Sequence, residues 1–143
     1  MFTDFSIFPL LPASEALARA TGEHGKGLLL LRRAADRSAE TDTLLANILK
    51  ALQLDEGKDC RTLLLDEQAS ISLVETVRTS GARYCVSFGP RPRALGAQWE
   101  WPAYQVLHRG GVRYLFADTL SRIGEDDQRK RALWNGLKDL MSE

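Results

Sequence analysis

The chain has 143 residues, a length that suggests one domain able to bury a real core. Its apolar fraction of 44% and charged fraction of 27% are ordinary for a globular protein. Nineteen basic and nineteen acidic residues cancel, which argues against nucleic-acid binding by bulk charge and leaves room only for a local basic patch.

Residues 1–12 form an apolar arm, Met1-Phe2-Thr3-Asp4-Phe5-Ser6-Ile7-Phe8-Pro9-Leu10-Leu11-Pro12. Two prolines disfavour a regular helix or a central strand there. The arm carries Asp4 and no basic leader region, so it does not read as a signal peptide. No apolar run approaches the ~20 residues of a membrane span, and a cytoplasmic location is expected. An arm this apolar either packs along its own domain or docks on another protein, with Phe2, Phe5 and Phe8 as the anchors.

Residues 13–143 read as a single α/β domain. Ser14 to Ala20 suggests a short helix stopped by Gly22. The run Gly27-Leu28-Leu29-Leu30-Leu31 is apolar on both faces and predicts an interior strand of a covered sheet. Arg32 to Glu40 is polar and reads as the loop at that strand's exit. Thr43 to Leu54 is the clearest helix, with Leu44, Leu45, Ile48, Leu49 and Leu52 on one face, Thr41 or Thr43 as its cap and Gly57 past its end. Thr62 to Leu65 predicts the next strand. Ser72-Leu73-Val74-Glu75 fits a capping box, and Ile71, Val74 and Val77 can share the face of a helix ended by Gly81. Arg83 to Gly89 then predicts a buried strand, followed by a long loop from Pro90 to Pro102.

Two alternating stretches, 104–108 and 112–117, flank Gly110-Gly111 and predict a hairpin. A helical turn is expected from Asp118 to Gly124. A last helix runs from about Glu125 to Met141, with acids in its first turn to suit the dipole. Gly136 inside it costs about 1 kcal/mol relative to alanine and suggests close packing. The order of elements predicts a three-layer sandwich, with a mainly parallel central sheet of four or five strands flanked by helices.

In open α/β sheets, ligands sit outside the carboxyl ends of the strands, so the loop from Gly89 to Gly96 is the first place to look for chemistry. It holds Arg91 and Arg93 and no acid, hydroxyl or histidine. Two arginines beside glycine suit a phosphate, and equally a solvated or partner-facing pair. General acid–base work needs a titratable group within reach of the reacting atom, and this loop offers none. No phosphate-loop, dinucleotide or nucleophile-elbow pattern is present. His24 and His108 both fall in turns without further metal ligands at fixed spacing. Cys60 and Cys85 read as buried reduced thiols. Gln98-Trp99-Glu100-Trp101-Pro102 places two tryptophans on one side if extended, either as a lid on the domain's own core or as a partner contact. No catalytic residue, metal or cofactor is expected.

Two stretches carry a family resemblance. Asp42-Thr43-Leu44-Leu45-Ala46-Asn47-Ile48-Leu49-Lys50-Ala51-Leu52-Gln53-Leu54 resembles the first long helix of the psi subunit of bacterial DNA polymerase III. Ala132-Leu133-Trp134-Asn135-Gly136-Leu137-Lys138-Asp139-Leu140 resembles that family's closing helix, with its Ala-Leu-Trp core. The resemblance extends over about residues 27–141. It implies a non-catalytic subunit whose fold is related in shape to uracil-DNA glycosylases. It also implies clamp-loader subunits and a chi-like subunit as partners, with the N-terminal arm in the place of the peptide that makes the clamp-loader contact. Neither a membrane partner nor direct sequence-specific nucleic-acid binding is expected. The alternative expectation is a uracil-DNA-glycosylase-like or nucleotide-binding enzyme, for which Asp36 after the first strand and the late His108 would have to come together.

Overall fold

The computed structural model describes residues 10–11, 27–55, 58–65 and 70–142. Phe2, Phe5, Phe8, the expected helix at 14–20, His24 and Gly57 lie outside the described residues.

Among the described residues, seven strands and four α-helices follow one another as β1 (Leu10–Leu11), β2 (Leu28–Arg33), α1 (Ala39–Ala51), β3 (Cys60–Leu65), β4 (Ser70–Ile71), α2 (Leu73–Ser80), β5 (Tyr84–Phe88), β6 (Leu107–Arg109), β7 (Val112–Ala117), α3 (Leu120–Gly124) and α4 (Asp127–Met141). Five of the strands form the main sheet in the order β3-β2-β5-β7-β6. All its neighbours are parallel except the β6–β7 hairpin. β1 and β4 make a separate parallel pair. The expected α/β architecture, a five-stranded mainly parallel sheet with flanking helices, is the observed one.

Alternation along the strands sorts the leucines of β2 onto two faces. Leu28 and Leu30 join Val86, Phe88, Leu115 and Ala117 beneath α1, α3 and α4. Leu29 and Leu31 join Leu63, Leu65, Cys85, Tyr114 and Phe116 beneath α2 and the segment around Leu95. A strand covered on both sides is apolar throughout, which is why the leucine run is continuous.

Several expected boundaries move, each for a local reason. Arg32 and Arg33 belong to the strand rather than to a loop, paired with Leu64 and Leu65. Arg32 is buried there because α1 supplies acceptors for its guanidinium. α1 begins at Ala39, and its cap is Ser38 rather than Thr41 or Thr43. The Ser38 side chain accepts from Thr41 N while the Thr41 hydroxyl accepts from Ser38 N, a full capping box. In α2, Ser72 caps by accepting from Glu75 N, but Val74 is exposed and the buried set is Leu73, Thr76 and Val77. Val74 lies about 100° around the helix from Leu73, off the core stripe. The first hairpin strand starts at Leu107, not Tyr104, because Tyr104 takes a left-handed backbone (φ 64°) and donates its N–H to Phe116 O.

Candidate functional site

β2 leads leftward through α1 to β3, and the chain returns through α2 to β5 on the other side of β2. The carboxyl ends of β2 and β5 therefore mark the switch point where such sheets hold ligands. Here the chain fills that place itself. Asp36, in a 3-10 turn after β2, reaches across to the start of α3. Its Oδ2 accepts from Leu120 N at 2.8 Å and its Oδ1 from Ser121 Oγ at 2.5 Å. Gly89 closes the other wall, since a Cβ there would meet Thr119 Cγ2 at 3.1 Å. Ser87 Oγ is turned inward and donates to Pro90 O.

Arg32 supports this rim from below. It donates to Asp42 Oδ1 at 2.9 Å and to Thr41 Oγ1 at 3.0 Å. A second cluster stands at the exit of β7. Tyr104 Oη donates to Asp118 Oδ2 at 2.6 Å, and Arg129 Nε donates to the same oxygen at 2.9 Å. Arg129 also binds Asp126, the N-cap of α4. Partial burial works to raise Asp118, but the hydrogen bonds from Tyr104 and Arg129 outweigh it and hold the carboxyl below its ordinary 3.8. Burial, then the bond to Asp118, pushes Tyr104 up to about 12. Asp118 therefore adds stability that is present above pH 3.8 and is lost as pH falls through its lower folded value. The melting-temperature gap between the native protein and Asp118→Asn should shrink on going from about pH 5 to about pH 3. Parallel melting curves across that range would refute the assignment.

The arginines and tryptophans singled out in the sequence are brought together, but with each other. Arg91 Nη2 donates to Trp101 O, and Arg93 pairs with Glu100 at 3.5 Å on the surface. Trp101 Nε1 donates to Gln105 O. Trp99 packs edge-on against Tyr114 and Phe116 at 6.3 and 6.2 Å, with the Arg109 guanidinium 5.0 Å over its ring. Both tryptophans thus pack against the α2-side core. Asp36 and His108 lie at opposite rims. His108 pairs with Arg113, which lies opposite Tyr84 at the amino end of β5, whereas Asp36 follows the carboxyl end of β2. Four residues of strand, roughly 13 Å, separate those rims. Cys60 and Cys85 are both buried, and burial pushes the Cys85 thiol up to about 12, which makes it inert. Among the described residues no group of three or more His, Cys, Asp or Glu could hold a metal ion, and no helix is long and apolar enough to cross a membrane.

A concavity opens beside this rim, on the helical face, and Thr41, Leu120 and Ser121 belong to its lining. α1 starts beside Arg32 at the carboxyl rim, and α4 ends where Arg113, at the amino rim, donates to Leu140 O and Ser142 O. Asp126, the cap of α4, meets Arg129 beside Asp118 at the carboxyl rim, so both helices run down the sheet in the same direction. Between them is a trough. Its upper part, about 350 Å³, is lined by Ser38, Glu40, Thr43, Ser121 and Glu125 among others. Its lower part, about 240 Å³, is lined by Leu44, Ile48, Ala51, Ile123, Leu133 and Trp134. Leu44, Asn47 and Lys130 border both parts, so the trough is continuous. The sequence held a signal for it: of the five apolar positions on one face of α1 and its C-cap Leu52, Leu45 and Leu49 are fully buried, while Leu44, Ile48 and Leu52 pack only partly against the core.

The chain matches no protein-family model and no curated protein.

Proposed function

We propose that the chain is a non-catalytic interaction subunit of the bacterial replication machinery, a psi-like scaffold that links clamp-loader subunits to the single-strand-DNA-binding machinery through a chi-like partner in the cytoplasm. One observation carries this reading. The two segments that resemble the psi family, 42–54 and 132–140, lie on the two sides of the trough's apolar lower part, and their half-buried side chains Leu44, Ile48 and Trp134 line it. A contiguous apolar concavity on a helical face is what a partner surface needs. The self-occupied switch point supports the same reading. The carboxylate of Asp36, which a glycosylase-like reaction would need to position water, is committed to Leu120 and Ser121.

The test is assembly. The full chain, mixed with clamp-loader subunits and a chi-like subunit, should co-elute with them in size-exclusion chromatography. Removal of residues 1–12 should weaken the clamp-loader contact and spare the chi-like one. Separate elution of both forms from all of these subunits would overturn the reading. So would release of uracil from uracil-containing single-stranded DNA.

A further inference from the structure

We propose that the trough between α1 and α4 receives an acidic amphipathic helix from a partner protein. The inference rests on the scaffold reading above and names the chemistry of the segment that docks. The lower part of the trough is lined by one charged residue, Lys130, and by no acid. In a chain with no net charge, that makes the lower end basic around an apolar floor, while Glu40 and Glu125 make the upper end acidic. Lys138 stands 5.7 Å over the Trp134 ring, so cation and aromatic form one surface. Lys130 is paired only loosely, with the exposed Asp127 at 3.9 Å, and stays available to a partner carboxylate.

The dimensions suit a helix. From Leu44 to Ala51 the floor spans about 10 Å, and from Glu40 about 16 Å, or three helical turns. Helix-in-groove recognition places anchors at i, i+3 or i+4, and i+7 on such a floor. A partner helix with Leu or aromatic anchors would fill the Ile48–Trp134 end and present acids to Lys130 and Lys138. Its far end meets Glu40 and Glu125 in the upper part of the trough, which favours a base there.

Other occupants fit less well. A small molecule needs a few convergent polar groups for orientation, and the lower part offers only Asn47 and Lys130 at its edge. A second copy across a two-fold axis would lay trough on trough, concave against concave and base against base. Single-stranded nucleic acid would use the bases and Trp134 but leave the leucine and isoleucine floor in water.

The test uses the full chain and two synthetic peptides of about 15 residues with Leu at i, i+3, i+4 and i+7. One has Glu on both flanks of the apolar stripe and the other has Lys, and binding is read by fluorescence anisotropy. The Glu peptide should bind at least about tenfold more tightly than the Lys peptide. Lys130→Glu with Lys138→Glu should reverse that preference, and Trp134→Ala with Ile48→Ala should weaken both peptides about tenfold or more. All four positions are half-buried or exposed, and reversal by charge swap is a result that misfolding cannot produce. Equal binding of the two peptides to the native chain would overturn the proposal. So would a preference unchanged by the charge swap, displacement of the Glu peptide by an oligothymidylate, or self-association abolished by Trp134→Ala. Co-elution with clamp-loader or chi-like subunits that survives all four substitutions would sink the trough assignment and leave the scaffold reading standing. Peptide discrimination without any co-elution would do the reverse.

Discussion

Replacing Arg32 with alanine should destabilise the fold by about 3 kcal/mol, whereas Arg32→Met should cost about 1 kcal/mol. Arg32 is only 2% exposed, near the carboxyl end of the interior strand β2. Its two terminal nitrogens are engaged by Asp42 and Thr41, but its Nε is buried without a hydrogen-bond partner. Alanine removes two buried methylenes, worth about 0.8 kcal/mol each, and a charge-assisted bond worth about 1.5 kcal/mol or more. The partners left behind suffer little. Asp42 is 41% exposed and keeps Arg37 at 3.4 Å, and Thr41 keeps Ser38 N and Asp36 O. The loss is therefore divided about evenly between packing and the charge-assisted bond, and no orphaned charge is left behind. Methionine restores the stem, fills the space and removes the unpartnered Nε, so it should recover most of the loss. Urea denaturation of the three proteins decides it. Equal losses for alanine and methionine would mean that the ion pair, not the stem, holds the rim.

How far such a residue could be read from sequence is a question of range. The leucines of β2 announce a covered strand because both faces are apolar over one short run. The same logic fails one residue later. A charged Arg32 reads as the exit of the strand, and what buries it comes from Thr41 and Asp42, nine and ten residues on. Ser38 was hidden for a related reason, because its capping partner is Thr41 and not the glutamate of the usual pattern. Tyr104 is a third case. Nothing in a tyrosine signals a left-handed backbone, so the alternation from 104 to 108 looked like one uninterrupted strand.

The site was harder still. The loop after β5 was the right place to look by topology, and Arg91, Arg93, Trp99 and Trp101 are all found near it. Their contacts are with one another and with the core, and only coordinates can show that. The Asp36 bridge joins residues 84 positions apart and leaves no local trace. The trough was half legible. Leu44, Ile48 and Trp134 stand out as apolar, but periodicity cannot tell a residue that faces the sheet from one that faces the neighbouring helix.

Gly136 tests how closely α4 lies on the sheet beside that trough. Gly136→Val should destabilise the protein by about 3 kcal/mol, and Gly136→Ala by about 1 kcal/mol. A glycine inside a 15-residue helix is a local cost of about 1 kcal/mol, and any alanine gain must be set against what the new Cβ would meet. It would lie 3.0 and 3.3 Å from the two Cδ atoms of Leu115 and 3.3 Å from Tyr104 O. Leu115 has no exposed surface and packs in the helix-side core, and Tyr104 is pinned by its own bond to Phe116 O, so neither can withdraw cheaply. Overpacking of this kind costs about 1–3 kcal/mol, which just exceeds the propensity gained by alanine. Valine adds two methyl groups to the same gap and brings a β-branched side chain into a helix, so the losses compound. Thermal and urea unfolding should rank the native protein first, then alanine, then valine. An alanine variant about 1 kcal/mol more stable than the native chain would show that helix and sheet are not in close contact at this point, and that the glycine is simply a weak spot in α4.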